Sequence, residues 1–360
     1  MNSFEKKLNE RIENGSLRSL FSFPELTDFY SNDYLGIAKE STEKTVRLSG
    51  STGSRLISGN SKEAIDCEKF IQSHFQSESC LIYNSGYDAN LGIFSSLPQK
   101  GDTILYDQYI HASVRDGIRL SFAKSYSFRH NDTEDLEKRL KNAEGTVFVA
   151  IEGLYSMDGD LSPVESILNL CEQYNALLIV DEAHSAGIYG ENQKGMTFDS
   201  SLRKRIFIRL ITFGKAFGTH GATVLCSEKV RAFLVNFSRS FIYTTALPPY
   251  QYDHITECIN KSLSEIKINS LKEKIKLFRA ELKGFSFISD PYSPIQILLL
   301  PGNEYVQRAA SFLQENGFAV KAIMSPTVAE GQERLRICIH NFNSDEEIEK
   351  LAELIRKITV

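Results

Sequence analysis

No stretch of this chain approaches the roughly 18 uninterrupted apolar residues needed to span a bilayer, and its first residues, MNSFEKKLNERIENG, are charged where a signal peptide carries an apolar run. Both features argue against a membrane or secreted protein, and a cytoplasmic location is expected. The six cysteines (Cys67, Cys80, Cys171, Cys226, Cys258 and Cys338) stand singly, with no CxxC pair and no His at ligand spacing, so neither a disulfide framework nor a metal site is expected. An excess of basic charge is missing too: 41 Lys and Arg against 46 Asp and Glu leave a net charge of −5, which argues against a nucleic-acid surface. The DEAH letters at 181–184 occur in helicases, but the GxxxxGK[ST] phosphate loop such an enzyme needs is absent. There is also no repeat and no Pro/Gly/Ser linker, so any domain boundary must be read from changes of pattern. What remains is a 360-residue chain, 42% hydrophobic and 24% charged, large enough for one big domain and a smaller one.

Apolar, β-rich runs recur along the first two-thirds: CLIYN at 80–84, TVFVAIEG at 146–153, ALLIVDEA at 176–183, RLITFGK at 209–215 and ATVLC at 222–226. Between them lie amphipathic stretches such as TEDLEKRLKNA and SPVESILNLCEQYN, the second with apolar residues at helical spacing after a Ser-Pro start. This alternation predicts an α/β fold with a mostly parallel sheet covered by helices, in which ligands bind beyond the carboxyl ends of the strands. From about residue 250 the texture changes to a charged helical stretch, then the β-like runs SPIQILLL and RLRICIH and a terminal helix, which predicts a smaller α+β domain. The division expected is a helical segment over 1–30, a large domain over 31–250 and a small one over 251–360.

The ALLIV strand ends in Asp181-Glu182-Ala183-His184, and the next strand-like run ends in Thr212-Phe213-Gly214-Lys215-Ala216-Phe217-Gly218. An isolated strand-end Asp serves as readily to cap a helix. A lysine among small and aromatic residues is less ordinary, because desolvation lowers its pKa as a Schiff-base amine requires. Pyridoxal phosphate (PLP) needs an amine, a carboxylate opposite the pyridine nitrogen, a partner for the ring oxygen, helix-start amides for the phosphate and a flat group against the ring. Lys215, Asp181 and His184 match the first three. Gly86 and Tyr87 in NSGY, with Thr212 adding a hydroxyl, match the fourth, and His111 in HASVRDGIRLS matches the fifth.

From about Phe29 onward the sequence resembles the α-oxoamine synthases, a family of fold-type I PLP enzymes. The resemblance rests on SNDYLG (31–36), GSTGSRLISGN (50–60), YNSGYDANLG (83–92), HASVRDGIRLS (111–121), EGLYSMDGDLSPV (152–164), DEAHSAGIYG (181–190), TFGKAFGTHGA (212–222) and FIYTTALPP (241–249), in family order. It implies a large domain with a mostly parallel seven-stranded sheet and a smaller C-terminal α+β domain. It implies Lys215 as the Schiff-base lysine, Asp181 as the pyridinium partner, His184 and Ser156 on the ring oxygen, and His111 as the stacking residue. Gly86, Tyr87 and Thr212 then serve the phosphate, with Thr244 or Thr245 supplied by the other subunit of a homodimer with shared active sites. Asn32 lies in the motif that approaches the substrate, and Arg18 aligns with an N-terminal Arg that meets the acyl donor.

Within the family, YSPIQILLL (292–300) and AIMSPTVAEGQERLRICI (322–339) are most similar to the members that make 8-amino-7-oxononanoate in biotin biosynthesis. That similarity implies a decarboxylative condensation of L-alanine with a pimeloyl thioester of coenzyme A or acyl carrier protein, with Thr327 touching substrate and Arg336 clamping the amino acid's carboxylate. The alternatives are sister enzymes that use glycine with an acetyl thioester or serine with a long chain. Met324-Ser325-Pro326 stands where many relatives carry Arg-Pro-Pro, a departure in the acyl-pocket segment that leaves the cofactor motifs untouched.

Overall fold

In the computed structural model, residues 12–13, 25–37 and 50–358 are described. Arg18 and most of the expected N-terminal helical segment lie outside them. The chain divides into two compact units, one made of 35–155 with 161–265, the other of 1–34, 156–160 and 266–360. The second unit is therefore discontinuous in sequence, where a contiguous 251–360 had been expected. The helix Pro249–Ser262 falls in the first unit because Tyr252, Ile255 and Ile259 bury against Ile71 and Phe75.

The larger unit is built on seven strands: β1 (Ser79–Tyr83), β2 (Thr103–Asp107), β3 (Lys124–Phe128), β4 (Val147–Glu152), β5 (Leu177–Asp181), β6 (Ile208–Thr212) and β7 (Ala222–Cys226). Their order across the sheet is β1-β7-β6-β5-β4-β2-β3, and β7 alone runs against the others. Five of the strands are the apolar runs picked out by composition. Continuous burial along β1, β4 and β7 is what a sheet covered on both faces produces. The helices that matter for the site are α1 (Lys62–Phe75), α2 (Gly86–Ser96) and α3 (Ala112–Leu120). One core joins Ile93 of α2 and Val114 of α3 to Phe148, Ile179 and Leu210 of the sheet. The other face buries Ile71 and Phe75 of α1 against Ile82, Ile211 and Leu225, and Leu136 and Ile167 against Val149 and Val180. All six cysteines are free and buried, and burial pushes the thiols of Cys67, Cys171 and Cys226 up to about 12.

The smaller unit has a three-stranded antiparallel sheet, β8 (Ile295–Leu299), β9 (Lys321–Ile323) and β10 (Arg334–Cys338), in the order β9-β10-β8. Ile295, Ile297, Leu335 and Ile337 are buried, as are Ile348, Leu351 and Ile355 of the terminal helix Asp345–Ile358. That helix carries Asp345, Glu346 and Glu347 in its first turn and Arg356 and Lys357 in its last, the arrangement its dipole favours. No helix among the described residues is long and apolar enough to cross a membrane.

Candidate active site

The carboxyl ends of β5 and β6 carry four of the expected cofactor residues of the larger unit, Asp181, His184, Thr212 and Lys215. Asp181 closes β5 and is 7% exposed; its Oδ2 accepts from Asn90 Nδ2 at 2.8 Å and its Oδ1 from the Ala183 amide at 2.9 Å. Directly across the ladder, Glu152 closes β4, so two carboxyl groups sit at neighbouring strand ends. Burial, and then the charge of Asp181, hold Glu152 well above the usual carboxylate range, with Lys215 opposing. That direction favours the neutral form of Glu152 over a second buried negative charge beside Asp181. A lone buried carboxylate of this kind suits a cationic partner.

Behind Asp181 the chain is pinned. The Glu182 amide continues the ladder to Leu210 O at 2.8 Å, and its fully buried carboxylate pairs with Arg209 Nη2 at 2.7 Å and with the Thr197 hydroxyl. His184, three residues past the strand end, is buried. The turn carrying Lys215 leaves β6 directly and is closed by Gly218 N to Lys215 O at 2.9 Å and Thr219 N to Phe213 O at 2.9 Å. Phe213, Ala216 and Phe217 are buried around it, so the lysine is half-buried among apolar groups, as its flanking residues suggested. The two turns touch: a Cβ on Gly187 would lie 2.4 Å from Ala216 Cβ, and Gly187 has φ +87°, so both space and backbone demand glycine there.

At the start of α2, Ser85 caps the helix by accepting from the Asp88 amide at 3.1 Å. Gly86 and Tyr87 follow in the first turn, whose amides have no partner within the helix and so suit an anion. Thr212 crowds this turn, its Cγ2 only 2.5 Å from where a Gly86 Cβ would lie, and its hydroxyl donates to Ala183 O at 3.3 Å. Asn84 Nδ2 donates to Thr244 Oγ1 at 3.0 Å and to Thr245 O at 2.9 Å, which ties both threonines to the approach of α2 within one chain. His111 caps α3, with its Nδ1 accepting from the Ser113 amide at 3.2 Å. The surrounding protein lowers the His111 pKa by desolvation; Asp181 opposes that and Lys215 reinforces it.

The smaller unit holds a second group. Arg336 on β10 is buried and donates through Nε to Ser156 O at 2.7 Å and through Nη2 to Asn32 Oδ1 at 2.8 Å. Tyr34 donates to the same Asn32 oxygen at 3.0 Å, which fixes the amide's orientation. One strand period away, Arg334 bonds Met157 O at 3.2 Å and Asp158 Oδ1 at 2.6 Å, so both arginines of RLR grip the 156–158 segment. Thr327 is exposed in a turn closed by its own amide to Met324 O at 2.9 Å. Sequence reasoning missed Asn90, Ser113, Glu152, Tyr34 and Arg334. All five fall inside motifs already singled out, yet nothing in their spacing marks them.

The donor set fits PLP: a half-buried amine, a buried carboxylate at a strand end, and helix-start amides without a partner in the helix. The model of the family described as aminotransferase class I and II matches residues 24–355. An 8-amino-7-oxononanoate synthase from Emericella nidulans is 37% identical over 98% of this chain and 94% of its own length. Another from Lysinibacillus sphaericus is 33% identical over 97% and 91%. Among solved structures, a serine palmitoyltransferase from S. paucimobilis with bound PLP superposes with a TM-score of 0.89 at 26% identity, covering 99% of this chain and 96% of that one. The 8-amino-7-oxononanoate synthase from Francisella tularensis gives 0.80 at 29%, covering 93% and 98%.

Proposed function

This chain belongs to the aminotransferase class I and II family, and from that premise we propose that it is a PLP-dependent acyltransferase joining L-alanine to a pimeloyl thioester. The products are 8-amino-7-oxononanoate, carbon dioxide and the free thiol. A homodimer in the cytoplasm, with coenzyme A or acyl carrier protein as the thiol, completes the proposal. The observation that carries it is the buried Asp181 opposite Glu152 and beside the Lys215 turn, in a chain whose near full-length relatives bear that activity's name.

When bound, PLP supplies an electron sink for negative charge at the amino acid's α-carbon. Lys215 would hold its aldehyde, and its amine is the base that would take the α-proton of alanine. Asp181 keeps the pyridine nitrogen protonated, with Asn90 and the Ala183 amide fixing both carboxylate oxygens. By the family resemblance His184 and Ser156 would each serve the ring oxygen, and His111 would stack on the ring. Gly86, Tyr87 and Thr212 hold the phosphate, joined by Thr244 or Thr245 of the partner subunit. Arg336 binds the alanine carboxylate, with its fork aimed by Ser156 O and Asn32. Thr327 would be a substrate contact, and the resemblance gives Arg18 a role toward the acyl donor. During condensation a carbon–carbon bond forms between the α-carbon and the thioester carbonyl, the carbon–sulfur bond breaks with the thiolate taking a proton, the alanine carboxylate leaves as carbon dioxide, and the α-carbon takes a proton back. His111 donates a hydrogen bond to the oxyanion that develops.

The test is the absorbance of the purified protein with L-alanine, glycine and L-serine added in turn. A band at about 420 nm that vanishes in Lys215→Ala and responds most to alanine is expected. A response to glycine or serine instead would move the substrate to a sister activity, and wild-type turnover by Lys215→Ala would refute the mechanism.

A further inference from the structure

Four side chains of the larger unit form a continuous hydrogen-bonded line from the end of β5 to the start of α3. Asn90 Nδ2 donates to Asp181 Oδ2 at 2.8 Å and to Ser113 Oγ at 3.0 Å. Ser113 Oγ lies 2.8 Å from His111 Nδ1, which the Ser113 amide also approaches at 3.2 Å. Asn90, Ser113 and Asp181 are 2%, 0% and 7% exposed, so water does not compete along the line as far as Ser113, while the His111 ring at its end is exposed.

Each link dictates the direction of the next. Asp181 accepts at both oxygens, so Asn90 must turn its NH2 toward it; the flipped amide would set a carbonyl against a carboxylate. The fold bears a cost for this orientation, because Asn90 Oδ1 is left buried without a partner among the described residues. An amide nitrogen accepts nothing, so Ser113 Oγ is the acceptor there and must give its single hydrogen elsewhere. The atom in reach is His111 Nδ1. Nδ1 then faces two donors, one hydroxyl and one amide, and an imidazole that accepts at Nδ1 carries its proton on Nε2.

We propose that Asn90 and Ser113 are positioning residues that pass the hydrogen-bond direction imposed by Asp181 to His111 and so hold its neutral ring as the tautomer protonated on Nε2. That leaves Nε2–H as the donor offered to the reacting carbonyl oxygen. The last clause rests on the proposed function; the tautomer and its cause do not. One carboxylate would then set two properties of the site: it pairs with the cofactor's nitrogen and, through Asn90 and Ser113, fixes which histidine nitrogen can donate.

The test is nitrogen-15 NMR of the full chain labelled at its histidine rings, with His111 identified by the signal lost in His111→Gln. At neutral pH the wild type should show a protonated Nε2 and a bare Nδ1. Ser113→Ala removes one of the two donors to Nδ1, so it should raise the His111 titration midpoint by roughly one pH unit and admit the other tautomer. Ser113→Thr, which keeps the hydroxyl, should restore both. A wild-type His111 protonated on Nδ1 would overturn the proposal without any variant being made. So would a Ser113→Ala protein whose midpoint and tautomer match wild type. Because the spectrum is read without turnover, failure here leaves the proposed reaction standing. A protein with this tautomer but no band at about 420 nm would instead remove the reaction and keep the relay.

Discussion

Gly86→Ala tests the phosphate cradle through a clash that one further substitution relieves. Gly86 begins α2 with a backbone outside the left-handed region, so alanine is acceptable there on conformational grounds. The added Cβ would nevertheless sit 2.5 Å from Thr212 Cγ2, with the next neighbours, Thr212 Cβ and Leu210 Cδ2, at 3.7 and 3.9 Å. Overpacking of this kind costs about 1–3 kcal/mol, reduced by whatever alanine gains over glycine as a helix former. The strain must be taken up by moving either the first turn of α2 or Thr212, and both belong to the proposed cradle. Cofactor affinity should therefore fall by about tenfold, since 1.4 kcal/mol is a factor of ten. Thr212→Ser keeps the hydroxyl and removes the offending methyl, leaving 3.7 Å as the closest approach. The double variant should therefore bind cofactor better than Gly86→Ala alone, with a coupling of about 1 kcal/mol. Titration of the cofactor-free protein with PLP, followed by its visible band, gives the four affinities of the cycle. Additive single effects, or a Gly86→Ala protein with wild-type affinity, would refute the packing argument.

The remaining predictions concern charge. Glu182→Gln should lower the thermal midpoint, because removing one partner of a buried ion pair costs about 3–5 kcal/mol and Arg209 has 3% of its surface in water; an unchanged midpoint would contradict the strut assigned to the pair. For Glu152 the folded pKa is raised above the unfolded one, so its contribution to stability is whole below the unfolded value and is lost as pH rises through the folded one. Glu152→Gln should therefore match wild type in acid and exceed it above that window in urea unfolding measured across pH; the opposite trend would mean the group is ionised. Asn32→Ala withdraws one of the two anchors of Arg336, and should raise the KM for alanine about tenfold with kcat nearly held. A fall in kcat alone would place Asn32 in the chemistry instead.

The strands that hold the site could be read because each is a buried run ended by a polar residue, as in LLIVD and VFVAIE. β3 escaped notice because KSYSF lies at the sheet's edge and alternates between exposed and half-buried positions, so hydropathy gives it no run. Asp181, His184 and Lys215 were legible for the same reason as the strands: functional groups gather where an apolar run stops. Asn90 and Ser113 were not, because their roles come from bonds to residues 91 and 23 positions away. The grip of Arg334 on Asp158 spans 176 positions and leaves no local pattern at all.

Those long-range bonds also explain how the fold spends its buried charge. Glu68 accepts from Arg55 at 2.9 Å, from Arg231 at 3.1 Å and from the Ile82 amide at 3.2 Å, while Glu182 binds Arg209. Neither cluster has a part in the proposed chemistry, and well-packed apolar groups often hold a fold at least as well as a buried ion pair. What an apolar pair lacks is direction. Arg55 draws the 50–60 loop onto α1 and β1, and Arg209 anchors the residue that follows Asp181, so each fixes the path of a segment that carries a motif. The same logic runs through Asn90 and Ser113, where a buried carboxylate orients an amide, a hydroxyl and finally an imidazole. In the larger unit polar burial follows the site's geometry rather than the core's, and that is why the apolar pattern revealed the sheet but not the bonds that aim its catalytic groups.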